Sequence, residues 1–478
     1  MARSATHELV GRAVGRRTFL VAGGLGFAGL SVPAMTARGA TSPSGGGGGR
    51  AKSTILFFLC GGSSHLDTWD MKPEAALEFR GDFKTIATTA PDIQLCEHLP
   101  RLAKQAHHLA IVRSLGHYGR GTGDHHAGYY YNLTGHAPDV TFRTLANDRR
   151  PQETDWPFIG CVAGSKRPAH PYLPNTVTLP HKPSRPPYTR PGQFAALLGV
   201  EHDPLYVDGS LEKPLEFSVP ALELRGDLSP ERVATRRSLL KEIDAAQRAF
   251  DHTADSVIYS KQQAKAFSLL TSTKAKQAFH VAEEPESLRE RYGQTVNGMS
   301  LLMARRLVEA GVPFITVFWK ENMKFAKQCK SAGGWDTHGN NFHCLRERLL
   351  PEFDRGFATL IEDLDARGRL DDTLLVVNSE MGRKPRIGDV RSGGISGGGR
   401  DHWTHCMSVL LAGGGIRGGQ VYGSSDRVGQ FPANRPVAPE HIAHTIYHAM
   451  GIADLTTTDL QGRPLQLLPE GRPLVELF

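Results

Sequence analysis

Cysteine is scarce in this chain and poorly placed for chemistry. Six residues, Cys60, Cys96, Cys161, Cys329, Cys344 and Cys406, are scattered with no C-x-x-C among them. That spacing excludes a zinc knuckle and a dense disulfide framework; a Cys329–Cys344 link is the one pairing left open. Long apolar runs are missing too. Nothing after the first forty residues reaches the ~20 apolar residues of a membrane-crossing helix, so no span is expected in the mature chain. Basic stripes interleaved with aromatics are absent, and the net charge of +7 is inflated by five Arg against one Glu in residues 1–40. The remainder is only weakly basic, which argues against nucleic acid as a partner. No internal repeat is evident.

What is present begins at the N-terminus. Gly15-Arg16-Arg17-Thr18-Phe19-Leu20 is a twin-arginine pattern, followed by a weakly apolar Gly/Ala-rich run from Val21 to Val32 and a small-residue exit. That order is an export signal over residues 1–40. It implies the twin-arginine export machinery as a partner and a periplasmic or extracellular location. Residues 41–52 are a Gly/Ser-rich linker by composition.

From residue 53 to 478 short apolar runs alternate with amphipathic segments. Strands are expected at 53–60, 109–115, 312–319, 374–377 and 407–412. Helices are expected at 99–108, 125–133, 286–310, 346–367 and 439–450, with a charged helical pattern over 229–284. Residues 136–225 are Pro- and turn-rich and resist assignment. The alternation predicts a single large α/β domain, its mostly parallel sheet covered by helices on both faces. In such sheets ligands gather beyond the carboxyl ends of the strands.

Those ends carry the chemistry. "GGSSHLDTWD" offers His65, Asp67 and Asp70, and "GHYGRGTGDHHAGYYYNLTGH" offers His117, Asp124, His125 and His126. "GGWDTHGNNFH" offers Asp336, His338 and His343; Glu380 is followed by Asp401, His402 and His405. Carboxylate oxygens and neutral imidazoles bind zinc at ~2.0–2.2 Å, and a sheet fixes ligands from separate strand ends relative to one another. Tyr129, Tyr130 and Tyr131 point in different directions on a helix, so at least one belongs to the core.

The order "GGSSHLDTWD", "HH…LTG", "GGWDTH", "SEMGR", "GRDHW", "LLAGGG", with "LVEAGVPFITV" before the third, resembles the exported family called domain of unknown function 1501. That family is placed in the alkaline phosphatase/sulfatase superfamily, and the resemblance covers nearly the whole mature chain. It implies a divalent metal, zinc first, with manganese or calcium the alternatives. Asp336 and His338 match the superfamily's Asp…His pair, at closer spacing. Glu380 stands in for the Asp of the later Asp-His pair, whose His is replaced by Met381, and His402 matches the lone His. Gly61-Gly62 occupies the place of the first Asp, leaving Asp67 or His65 to reach back. Counting back along the helix that ends in Leu133-Thr134-Gly135 puts His125 at the nucleophile's place, with Thr122 one turn earlier and Ser114 ending the preceding strand. Arg383 and Arg400 suit an anionic group, and the Gly-rich segment between Glu380 and His402 reads as a flap.

Two functions stay open. One is an exported metal-dependent hydrolase of phosphate or sulfate esters, acting on an anionic small molecule or a sulfated or phosphorylated glycan. The other is a non-catalytic binding protein that keeps the fold without turnover.

Overall fold

The run Ser53–Phe58 (β1) is buried at all six residues, as expected of a strand with neighbours on both edges and layers on both faces. In this computed structural model, which describes residues 49–478 except 186–187, 220–271, 330–332, 389–397 and 460–461, β1 lies inside an eight-stranded sheet. The other strands are Leu109–Leu115 (β2), Thr176–Leu179 (β3), Leu205–Tyr206 (β4), Phe314–Phe318 (β5), Thr373–Asn378 (β6), Met407–Ala412 (β7) and Gln420–Tyr422 (β8). Their spatial order is β8-β2-β7-β6-β1-β5-β3-β4. Parallel pairing joins β1 to β5 and β6, β5 to β3, β3 to β4 and β8 to β2. Only β7 runs the other way, antiparallel to both β6 and β2. The chain therefore enters β7 at the edge where β1, β2, β5 and β6 end, and its preceding loop lies with theirs.

Strand periodicity of two sorts the side chains by face. Phe57 packs on Phe353 and Phe357 at ring-centroid distances of 5.8 and 6.3 Å. Both belong to a helix, Leu350–Ala366, that covers one face. Phe58, its neighbour, points the opposite way and meets Tyr129 at 5.0 Å, in the helix His125–Thr134 (α1). Helices thus cover both faces of one α/β unit spanning residues 46–478, as the alternation predicts.

Several boundaries differ from expectation. The segment 286–310 is two helices, Glu286–Tyr292 and Val296–Glu309, because Gly293 breaks the first and Thr295 caps the second by accepting from the Gly298 N–H. The helix expected at 99–108 is a turn of α-helix at Pro100–Ala103 followed by a 3-10 turn at Ala106–His108. The unassigned region supplies β3 and β4, too short for a periodic signal. Cys329 and Cys344 form a disulfide, whereas Cys60, Cys96, Cys161 and Cys406 are buried thiols. No helix among the described residues is long and apolar enough to cross a membrane. The export signal, most of the linker, residues 229–271 of the charged segment and residues 389–397 of the Gly-rich flap lie outside the described residues.

Candidate metal centre

Four strand-edge segments converge. His125 opens α1 after β2, Asp336 and His338 follow β5, Glu380 follows β6, and His402 precedes β7. The last two are drawn together by a short antiparallel hairpin in which Gly382 pairs with Trp403 and Arg383 with His402.

Close packing of backbone makes the convergence possible. The Gly61 N–H donates to Glu380 Oε1 at 2.8 Å. Gly61 sits at φ +119, and a Cβ there would fall 2.2 Å from the Asp336 nitrogen. Glycine is therefore required at this position. Gly128 does the same for α1, where a Cβ would lie 2.6 Å from the Glu380 carbonyl oxygen.

Each histidine is held through its Nδ1. His125 Nδ1 donates to Glu380 Oε1 at 2.9 Å, His338 Nδ1 to Asp401 Oδ1 at 2.7 Å, and His402 Nδ1 to the Gly123 carbonyl at 2.7 Å. With Nδ1 engaged in this way, each Nε2 faces Asp336 as a lone pair when its ring is neutral and as an N–H donor when the ring is protonated. All three point at Asp336. His338 and His402 Nε2 lie 2.9 and 3.1 Å from its Oδ1, and His125 Nε2 lies 3.3 Å from its Oδ2. His338 and His402 bring their Nε2 atoms within 2.9 Å of each other. Acceptors facing acceptors at these distances repel unless a cation lies among them, either a proton on an imidazole or a metal ion. Ligand atoms of His125, Asp336 and His402 all lie within 4.8 Å of one another, a spacing one ion can bridge.

Electrostatics fit that reading. Burial opposes the charge of Asp336, but the Arg383 guanidinium and Nε2–H donation from the three imidazoles outweigh it and hold this carboxylate well below its usual range in the metal-free chain. Burial likewise opposes Glu380, and His125 and the Arg190 charge bring it down. His125 is raised despite its own burial, because Asp336 and Glu380 both bond it. Burial lowers His402, against the pull of Asp336. The three imidazoles and Asp336 thus make a donor set that a divalent ion fits.

Not every expected residue joins. Asp67 does not reach the cluster: its carboxylate takes both Nε and Nη2 of Arg400 at 2.7 and 2.9 Å, plus Ser64 and Asn341. Both partners are fully buried, so this pair is structural, and Arg400 is not a receiver of substrate. Arg383 is also fully buried, with its guanidinium spent on Asp336 Oδ1 at 2.6 Å and on the carbonyls of Gly61, Gly62, Trp335 and Arg400. It anchors Asp336, with Nε and Nη2 fully engaged and Nη1 bonded to the Arg400 carbonyl. Glu380 meets the cluster through His125, and Thr122 gives its hydroxyl to Asp124 Oδ2 at 3.0 Å. His65, His117 and His343 bond Gly429, Asn132 and Gln328. Tyr129, Tyr130 and Tyr131 are all core residues. Asp401 and the Gly123 carbonyl, which orient two of the imidazoles, were not singled out as holders. The pair Asp401-His402 was legible as a motif, but nothing in sequence says that Asp401 serves His338.

Solved structures similar to the chain include Ps i-CgsB in complex with k-i-k-neocarrahexaose (13% identity, 88% of this chain and 74% of that one, TM-score 0.41). The PsFucS1 sulfatase from Pseudoalteromonas sp. gives 14% identity, 85% and 69% coverage and a TM-score of 0.37. The phosphonate monoester hydrolase SpPMH from Silicibacter pomeroyi gives 14%, 88% and 76%, and 0.36. No curated protein matches. The family described as "Protein of unknown function (DUF1501)" matches residues 51–478, and the chain belongs to that family.

Proposed function

We propose that the chain is an exported, metal-dependent hydrolase of sulfate or phosphate esters, the class implied by the superfamily in which its family is placed. The observation that supports this most directly is the convergence of three imidazole Nε2 atoms on the one Asp336 carboxylate. His125, Asp336, His338 and His402 would hold the ion, and a nitrogen-rich set favours zinc over manganese and calcium, which suit oxygen ligands better. Such an ion, when bound, supplies Lewis acidity toward an ester oxygen and makes water a better nucleophile near neutral pH.

The chain's own residues do the rest. Glu380, Asp401 and the Gly123 carbonyl hold the three rings through Nδ1 with Nε2 turned to the centre, and Arg383 holds Asp336 in place. The side chains of Asp336, His338 and His402 are 27%, 31% and 21% exposed, so the cluster has a mouth toward solvent. Among the described residues no Ser, Thr or Cys hydroxyl or thiol bonds the cluster imidazoles or Asp336, which favours water as the attacking group. The same observation supports a second reading, a binding protein without turnover.

Metal content by plasma mass spectrometry, paired with turnover on a panel of sulfate and phosphate esters, tests both. Bound metal and turnover in the wild type, both lost in a folded Asp336→Ala/His402→Ala variant, is the expected result. A metal-free wild type after reconstitution would refute the hydrolase; metal without turnover would leave the binding protein.

A further inference from the structure

Arg383 and Arg400 are fully buried and bonded chiefly within the fold, and among the described residues Arg190 offers a further guanidinium suited to an anionic ligand. Arg190 sits in a turn whose Gln193 Nε2 donates to the Arg190 and Pro183 carbonyls at 2.8 and 2.9 Å. Gly192 of that turn packs directly on the backbone of Tyr129 and Tyr130. The Arg190 guanidinium lies 4.8 Å above the Tyr129 ring, one helical turn from His125 on the same face of α1. Its Nη1 is buried without a hydrogen-bond partner, and among the described residues no carboxylate forms an ion pair with it. Burial opposes the charge, and Tyr129, Glu380 and Glu321 sustain it without a direct ion pair, so a buried Nη1 donor is left for a ligand to complete.

Its surroundings mix aromatic rings with a few polar groups beside the metal centre, and its charge acts on His181 as well. Phe318 stacks on Tyr129 at 6.2 Å, and His181 stands edge-on to Phe318 at 6.4 Å. His181 Nδ1 is likewise buried and unbonded. Glu321 lies against Gly334, where a Cβ would fall 2.6 Å from its Cγ, two residues before Asp336. The Arg190 charge acts on both Glu321 and Glu380.

We propose that Arg190, His181 and Glu321 form a ligand subsite beside the metal centre. Arg190 takes an anionic sulfate or phosphate group, His181 adds a neutral hydrogen-bonding nitrogen, and Glu321 accepts from a hydroxyl. A sugar carrying a sulfate or phosphate has that combination. The sugar ester as substrate rests on the hydrolase reading; the anion contact does not.

Calorimetric titration of the full chain with inorganic sulfate and inorganic phosphate, metal-free and manganese-loaded, tests the contact in wild type, Arg190→Ala and Arg190→Lys. Wild type should bind, Arg190→Ala should weaken both anions roughly 10- to 100-fold in either form, and Arg190→Lys should fall between at unchanged metal content. Should Arg190→Ala misfold, Arg190→Lys alone decides, with an unchanged affinity refuting the contact. Equal affinity in Arg190→Ala and wild type would overturn it, as would a wild type that binds neither anion. If the wild type takes no metal, the hydrolase reading fails while the metal-free titration still decides Arg190. Glucose 6-sulfate should lose affinity in Glu321→Gln while inorganic sulfate does not; parallel behaviour of the two would remove Glu321 from the subsite.

Discussion

Asp401→Asn isolates the claim that the imidazoles are pre-oriented for an ion. Asp401 is nearly fully buried, and its Oδ1 accepts from His338 Nδ1 at 2.7 Å and from the His402 N–H at 2.9 Å. Its Oδ2 has no partner. Asparagine keeps the shape and one acceptor, so the fold should survive with a loss under about 1.5 kcal/mol. What disappears is the charge that makes His338 Nε2 a strong donor to a cation. An amide turned the other way would do worse: its NH₂ would force the proton onto Nε2 and remove that lone pair. Losing such an outer partner weakens metal binding ~10- to 100-fold, or about 1.4–2.8 kcal/mol. Chelator competition with zinc and manganese on the metal-free chain measures it directly. Equal affinities for wild type and Asp401→Asn, in a protein whose His338→Ala variant does lose metal, would refute the orientation argument.

Other expectations follow from the same geometry. Arg400→Leu strands the buried Asp67 carboxylate and should cost about 3–5 kcal/mol in denaturant unfolding; adding Asp67→Leu should recover part of that loss, and simple additivity would contradict the pairing. Gly61→Ala drives a methyl into the Asp336 backbone and should abolish metal uptake while the far-ultraviolet circular dichroism is kept. Burial raises Glu321 from its ordinary 4.5 to about 7. The unfolded chain gives up that proton near 4.5 but the fold keeps it until about 7, so stability is lost as pH rises across that window. Metal-free Glu321→Gln should therefore gain stability over wild type at pH 8 and not at pH 4, read from paired melts; a gain independent of pH would contradict the assignment. His125, raised above its ordinary value, should make zinc affinity keep tightening with pH beyond 6.5, with proton release visible by calorimetry in two buffers of different ionisation enthalpy.

The division between sequence and tertiary structure follows from the range of the forces involved. Apolar runs such as 53–58 and 373–378 announce buried strands because burial of a continuous run is a local pattern, and the strand-end rule then located His125, Asp336, His338, Glu380 and His402. Orientation and pairing were decided in three dimensions. That β7 runs antiparallel, which delivers His402 to the common edge, depends on its two neighbours. Asp67 and Arg400 lie far apart in sequence, and each looks available until the fold shows them neutralising one another. The same holds for Arg383, whose donors go to carbonyls of three separate loops. Arg190 and Glu321 escaped notice for the opposite reason: one sits in a turn-rich region with no periodicity, the other just past a strand. Only their placement beside α1 and Asp336 gives them a role. Sequence named the ligand types, because chemistry is local to the side chain; tertiary structure chose which lone pairs face one another, because that is set by partners across the fold.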